Sequence, residues 1–508
     1  MINKLIFAKL DYFLLYVLGV ILWFLFFYYK NPSLNYEDWL YYFQYYDVIK
    51  ESLRNFKIPF HVSFFTESMN LDIGERQPYG TKRFLSNEWT IFPIQSIILV
   101  FVNTKTYIFL NYILIYSLSF FYLLKWSKKL NLSKTSFFYL VLIFLFNGKF
   151  ISLTAFGGPQ MTFGYMLIPM SFWYMFNFLH GNQNKLNSLK MSLFLIFLLS
   201  QTDAHILYQN LLIFSFATLF YPKKYTYFIT ILIFFIIGSL WFILPVALFS
   251  GLSVFSDNIL SLPPDHWRNY GLCGYGIQNG FVGYKLFQYN DNIFQNFFFH
   301  GANILNHIYE SLTVEYNTYF HNSHEYNLYI SELGFLILLL TLIYLIYLYK
   351  NNLLQYILKY KFIFGLFIIF CLSVSCTNRS IIILLNNLVS FHPIDAVPSR
   401  LMIYIFTFVA FLSAIGFSKF KEKNTLISFL KYLIILCLSG ILFYHSIDWW
   451  IYYSILNTQA ETNLIPNTKF YDIDDHFYKY TVLTSYLISI IFVISLIIFY
   501  FHYKKKVN

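Results

Sequence analysis

Residues 480–506 read YTVLTSYLISIIFVISLIIFYFHYKKK, with no Asp, Glu, Lys or Arg between Tyr480 and Tyr503. An apolar run of about 20 residues, rising 1.5 Å per residue as a helix, crosses a hydrocarbon core of roughly 30 Å. The lysines that close it, Lys504–Lys506, mark the side expected to stay in the cytoplasm. Runs of this kind recur from one end of the chain to the other. Lipid offers no partner to unpaired backbone, so they are expected to be helices and not strands of an open sheet.

Composition agrees. The 508 residues are 58% hydrophobic and 23% aromatic, and only 12% are charged, against roughly 25% for a soluble domain. The first run, Tyr12–Tyr28, lacks a small-residue cleavage site and is read as a retained span. The net charge of +11 would suggest nucleic acid in a soluble protein. Here its placement points to topology instead, and no nucleic-acid partner is expected. Four cysteines at 273, 371, 376 and 437 are too few and scattered for a disulfide framework and lack zinc-site spacing.

The expected fold is an all-α polytopic membrane protein of about twelve transmembrane helices. Spans are placed at 12–28, 106–124, 135–148, 161–179, 189–201, 205–221, 226–249, 328–349, 361–376, 399–417, 426–444 and 480–501, with short apolar segments at 91–102 and 380–390. On this layout the inner connectors hold 20 basic residues and two acids, Asp11 and Glu422, leaving 15 basic and 22 acidic residues outside. Lysine bias therefore puts both termini in the cytoplasm of a plasma-membrane protein. Residues 1–508 form one membrane domain. Its long extracytoplasmic loops are 29–90, 250–327 and 445–479, and shorter ones fall at 148–160, 201–205 and 377–398. In the first, apolar Trp39, Phe43, Tyr46, Ile49, Leu53 and Phe56 recur at helical spacing opposite Gln44, Asp47, Glu51 and Arg54. An amphipathic helix lying on the membrane is expected over Asn35–Phe56.

Chemistry should then lie outside. All six arginines (54, 76, 83, 268, 379 and 400) fall on that side, while all twenty inner cations are lysine. Arginine's planar fork suits bidentate binding of phosphate or carboxylate, and salt bridges between outer loops are the plainer use. Arg400, just before a late span, is the foremost candidate. Asp38, just past the first span, could serve as a base; in the first turn of a helix it would equally suit the positive dipole end. Asp47 and Glu51, one turn apart with Lys50 and Arg54 nearby, suit a solvated ion-pair face. Asp203 and His205 occupy a short turn at the hydrocarbon rim, where ionisable groups must be used or paired. His266 and Arg268 could line an acceptor site. His321 and His324 have the i, i+3 spacing of metal ligands but stand alone, so no metal site is assigned.

Several landmarks appear in a fixed order: Asp38-x₅-Gln44 after the first span, Lys57-Ile58-Pro59, Trp89-x₃-Pro93, Phe146-Asn147-Gly148…Gly157-Gly158-Pro159 running into Tyr165-x₃-Pro169, and Pro398-Ser399-Arg400 before a span ending Ala414-Ile415-Gly416. This order resembles the GT-C-type bacterial membrane glycosyltransferases, in particular the YfhO-like branch, over most of residues 1–420. The resemblance implies transfer of a sugar from a polyprenyl-phosphate donor to an extracytoplasmic glycan or lipid acceptor. The first-loop acid, Asp38 or else Asp47, would be the catalytic base. Substrate binding would fall to Arg400, Asp203, His205, Arg268 and His266. The chain departs from the pattern where Asn55-Phe56-Lys57 precedes Pro59, and where 147–160 lacks a second acid, which Asp203 could replace. No cofactor is fixed, and a divalent metal is left open. An O-antigen-type polymerase or ligase also has about twelve spans, but it gathers arginine in late loops, whereas three of the six here lie in the first. A transporter or flippase would call for ionisable residues at mid-membrane and inverted repeats.

Overall fold

A computed structural model describes residues 2–30, 39–58, 60–65, 82–83, 94–156, 158–202, 204–249, 312, 328–374, 401–420, 425–459, 467–471 and 474–507. Its helices are α1 (Ile2–Phe24, continued by a π-helix to Lys30), α2 (Trp39–Arg54), α3 (Thr104–Lys129), α4 (Lys134–Leu145), α5 (Gly148–Phe156), α6 (Pro159–Met166), α7 (Ile168–His180), α8 (Asn184–Gln201) and α9 (Ala204–Leu219). They continue as α10 (Tyr225–Gly238), α11 (Leu240–Phe249), α12 (Ser331–Tyr349), α13 (Leu353–Lys359), α14 (Phe362–Val374), α15 (Met402–Lys419), α16 (Thr425–Gln459) and α17 (His476–Val507). Among the described residues, seven helices are long and apolar enough to cross a membrane, or eight if the bent pair α10–α11 is one span. The chain is a helical multi-pass membrane protein.

Side-chain packing agrees with that solvent. Leu426 and Leu436 on α16 and Leu487 and Ile498 on α17 are all at least 60% exposed, a surface that only lipid tolerates. The interior is formed instead by α4 and α5, where every residue from Leu140 to Ala155 is buried.

The helices alternate in direction around two ends of the bundle. Tyr16 meets Ser117 and Tyr28 meets Thr106, so α1 and α3 are antiparallel. Ser133 meets Ser418 while Tyr139 meets Ser413, which opposes α4 to α15. Trp241 meets Tyr486, and Phe249 meets Phe477, opposing α11 to α17. One end gathers the α3–α4, α7–α8 and α9–α10 turns with their lysines. The other gathers α2, the 3-10 segment Ile94–Val100 and the starts of α3, α9 and α12.

Local chemistry sets the boundaries. Asn103 caps α3 by accepting from the Thr106 amide at 2.8 Å, and Ser133 caps α4. Between them Asn131 takes a left-handed conformation (φ 53), which Asn tolerates better than most residues. Lys128 and Lys129 in the last turn of α3 suit its negative dipole end.

Three expected spans are broken. The span 135–148 extends to residue 156 but restarts at Gly148. The span 161–179 divides at Leu167, where Pro169 has no N–H to continue the ladder. The span 226–249 bends by 75° at Ser239. Of the expected outer loop 148–160, residues 148–155 and 158–160 are instead buried, within α5 and at the start of α6: Ser152, Thr154 and Thr162 turn their hydroxyls back onto carbonyls four residues earlier. The all-α expectation also misses a small antiparallel sheet of order β2-β1-β3, formed by β1 (His61–Phe65), β2 (Lys82–Arg83) and β3 (Asn467–Tyr471). Its register pairs His61 with Arg83 on one side and with Tyr471 on the other. The stretch expected as a loop from 445 continues α16 to Gln459 before β3 follows. The loop 250–327 lies outside the described residues except for Leu312, and the segment 380–390 lies wholly outside them.

Candidate functional site

α2 lies against the bundle along a broader face than the expected stripe. Trp39, Tyr42, Tyr45, Tyr46, Val48, Ile49 and Ser52 are buried. Phe43 and Leu53 pack partly against the core, and Phe56, past the helix end, is exposed instead. The Trp39 indole donates to the Thr154 carbonyl of α5 at 2.9 Å, fixing the helix to the buried α5–α6 pair. On the outer face Arg54 and Glu51 form an exposed pair at 4.0 Å, and Arg54 also reaches the Val100 carbonyl.

Two successive residues of α2 face different surroundings. Tyr46 points inward and lies beside the Gln160 amide of α6. The Tyr46 hydroxyl and both Gln160 amide atoms are fully buried, and the Tyr46 hydroxyl interacts with the Gln160 side chain, as buried polar groups require. Next to them runs a hydroxyl row: Tyr112 donates to Thr154 at 3.2 Å, and Thr154 lies 3.5 Å from Thr162. Asp47 faces outward at the rim and accepts from the Thr104 hydroxyl at the start of α3. Burial of its carboxyl pushes the Asp47 pKa up; the Thr104 bond and Lys50 partly oppose this, and Glu51 adds to it.

Beneath α2, α5 carries a cation that the sequence reading left unassigned. Lys149 is only 2% exposed and stands in the buried apolar stretch Lys134–Ala155. Asn147 holds the turn before it, donating to the Phe144 carbonyl at 2.7 Å and accepting from the Lys149 amide at 2.9 Å. The Lys149 ammonium lies 5.8 Å from the Tyr165 ring, which is edge-on to Tyr404. Tyr404 accepts from Asn210, and Asn210 accepts from Ser171 at 2.6 Å. A row of ring and hydrogen-bond contacts thus crosses α5, α6, α15, α9 and α7. The sequence signal for it is a single lysine between Phe146 and Phe156 with no other charge nearby. A second polar contact joins Gln95 to Asn111 at 2.8 Å and to Gln201 at the end of α8.

Of the sequence-based candidates, Asp47 is described in full. The backbone of His205 begins α9, but its side chain is outside the description. Asp38, Asp203, His266, Arg268 and Arg400 lie outside the described residues, as do the expected cap Asn35 and the pair His321/His324. Among the described residues no group of three or more His, Cys, Asp or Glu side chains could hold a metal ion. Comparison with protein-family models, curated proteins and solved structures finds no match.

Proposed function

We propose that the chain is a membrane glycosyltransferase that moves a sugar from a polyprenyl-phosphate carrier to a glycan or lipid acceptor outside the cytoplasm, through a bundle of twelve spans with both termini inside. The observation that carries this reading is the buried Lys149 of α5, with the buried Tyr46 of α2 and Gln160 of α6 paired nearby. An ionisable residue inside a membrane span points to function. A cation, a phenol and an amide can receive phosphate oxygens and sugar hydroxyls. In the transfer, a carboxylate takes the acceptor hydroxyl proton as the new C–O bond forms at the anomeric carbon. The bond from that carbon to the carrier phosphate breaks, and its electron pair leaves with the phosphate. Asp47, whose raised pKa suits a base, or Asp38 fills the first role. Lys149 and Arg400 neutralise the leaving phosphate.

Polyprenyl phosphate without its sugar is the direct probe. The purified protein is expected to bind it, and Lys149→Met is expected to weaken binding at least tenfold, about 1.4 kcal/mol, while remaining folded. Unchanged binding by a folded Lys149→Met protein would falsify the assignment of Lys149. Near-normal transfer by a folded Asp38→Asn protein would remove Asp38 from the role of base.

A second reading has specific support. Broken helices around a buried ionisable residue are also how transporters build their sites, and Lys149 lies next to the break at Asn147 and 5.8 Å from the Tyr165 ring, two residues before the break at Leu167. Under that reading, reconstituted protein carries carrier lipid across the bilayer without forming a glycosylated product.

A further inference from the structure

The lysine-rich end of the bundle carries a feature that the transfer reading does not use. The last turns of α3, α7 and α13, with the 3-10 turn Pro222–Lys224, bring Lys129, Lys224 and Lys359 around the His180 imidazole. The Lys359 ammonium lies 5.6 Å from the Tyr360 ring, whose centroid is 5.5 Å from that of His180. The Lys129 ammonium lies 4.0 Å from the Phe176 ring and 5.0 Å from the Trp173 ring, and it donates to Asn177 at 3.2 Å. Lys224 donates to the Gly181 carbonyl at 3.0 Å and to Asn184. His180 shares a 3.1 Å hydrogen bond with the Tyr221 hydroxyl.

Four basic groups thus converge, and their partners are neutral. Among the described residues the acid at this end is Asp11, which is paired with Lys134. An anion placed among these basic groups gains Coulombic attraction to each of them in surroundings less polar than water. Apolar side chains flank the cluster: Leu219 and Leu358 are more than half exposed. A ligand that satisfies both features has an anionic head and an apolar tail.

We propose that Lys129, Lys224 and Lys359, arranged around His180, form a binding site for the phosphate headgroup of an anionic phospholipid. Basic clusters between spans at the membrane surface are suited to such headgroups. The site lies at the opposite end of the bundle from α2, so it stands or falls independently of the transferase reading. A free phosphate ion shares the headgroup chemistry, and the flanking leucines favour the lipid.

The test titrates detergent-solubilised protein with dioleoyl phosphatidylglycerol, dioleoyl phosphatidylcholine or inorganic phosphate and follows the thermal midpoint. Phosphatidylglycerol is expected to raise the midpoint saturably, with neither of the others matching it. The triple variant K129Q/K224Q/K359Q is expected to keep its lipid-free midpoint and to lose at least about tenfold in apparent phosphatidylglycerol affinity. Should the triple variant not fold, K129Q and K359Q, which alter exposed side chains, each show a smaller loss, and K129R retains binding. Equal response to phosphatidylcholine, equal response to inorganic phosphate, or undiminished phosphatidylglycerol affinity in the glutamine variants overturns the proposal.

Discussion

Asp47 stands between two environments, and its titration should report on both. Its carboxyl is desolvated enough to raise its pKa above the ordinary 3.8, so the folded protein holds this proton more tightly than the unfolded chain. Stability therefore falls as pH rises from about 3.8 through the raised value, and the penalty is absent below that window. Asp47→Asn should remove this dependence while still accepting from Thr104. If Asp47 is the base, the acid limb of the transfer rate lies above the pH at which a free aspartate titrates, and it vanishes together with most turnover in Asp47→Asn, roughly 10²–10⁴-fold. A pH–rate profile and a pH–melting series on the two proteins measure both, and an unchanged acid limb in the variant would sink the assignment. Lys149 is a buried cation of α5, only 2% exposed, and a buried ammonium is tolerated where it is paired or hydrogen-bonded. Its signal in the sequence, a lone lysine in an apolar stretch, was easy to pass over because a residue beside Asn147-Gly148 reads as the start of a loop. Asp47 was legible because a polar residue on an amphipathic helix is conspicuous.

Among the elements, close approach of backbones is the most testable feature. A Cβ built on Gly416 of α15 would come within 2.4 Å of the Thr341 carbonyl of α12. Gly440 of α16 has nothing within 4 Å. Gly416→Ala should therefore push α12 and α15 apart and destabilise the protein, by about 1–3 kcal/mol for an overpacked contact. Gly440→Ala should be neutral or stabilising, by up to about 1 kcal/mol of helix propensity. Thermal unfolding of both variants in one detergent compares them, and equal midpoints would contradict the packing. The same elements show what the sequence could and could not reveal. Helix positions such as 104–129 and 476–507 followed from apolar length alone. The breaks at Leu167 and Ser239 did not, because a bend inside a continuous apolar run leaves its hydropathy unchanged. The burial of 148–155 and 158–160 was hidden because Ser, Thr and Gly look like loop residues, although here the hydroxyls bond within their own helices.

For the molecule as a whole, the distribution of lysines and the packing directions give one testable topology. If the lysine-rich end is cytoplasmic, Lys129→Cys and Lys224→Cys, in a background with the native cysteines replaced by serine, escape an impermeant thiol reagent added outside intact cells. Lys285→Cys is labelled. Labelling of the first two would invert the proposed arrangement. Charge bias is what assigns a side to each end of the bundle, because lysine resists translocation. The sheet was not legible: its strands are at most five residues long and are brought together only by the closed bundle.

The pairing of β1 with β3 also has a consequence for biosynthesis. Residues 61–65 find their partners about 400 residues later in the chain, and ribosomes add roughly 5–20 residues per second. The β1 segment is thus made roughly 20–80 s before the strand that completes its ladder. Throughout that interval the segment His-Val-Ser-Phe-Phe lacks the strand it pairs with in the finished fold, the condition in which a strand edge is open to foreign strands.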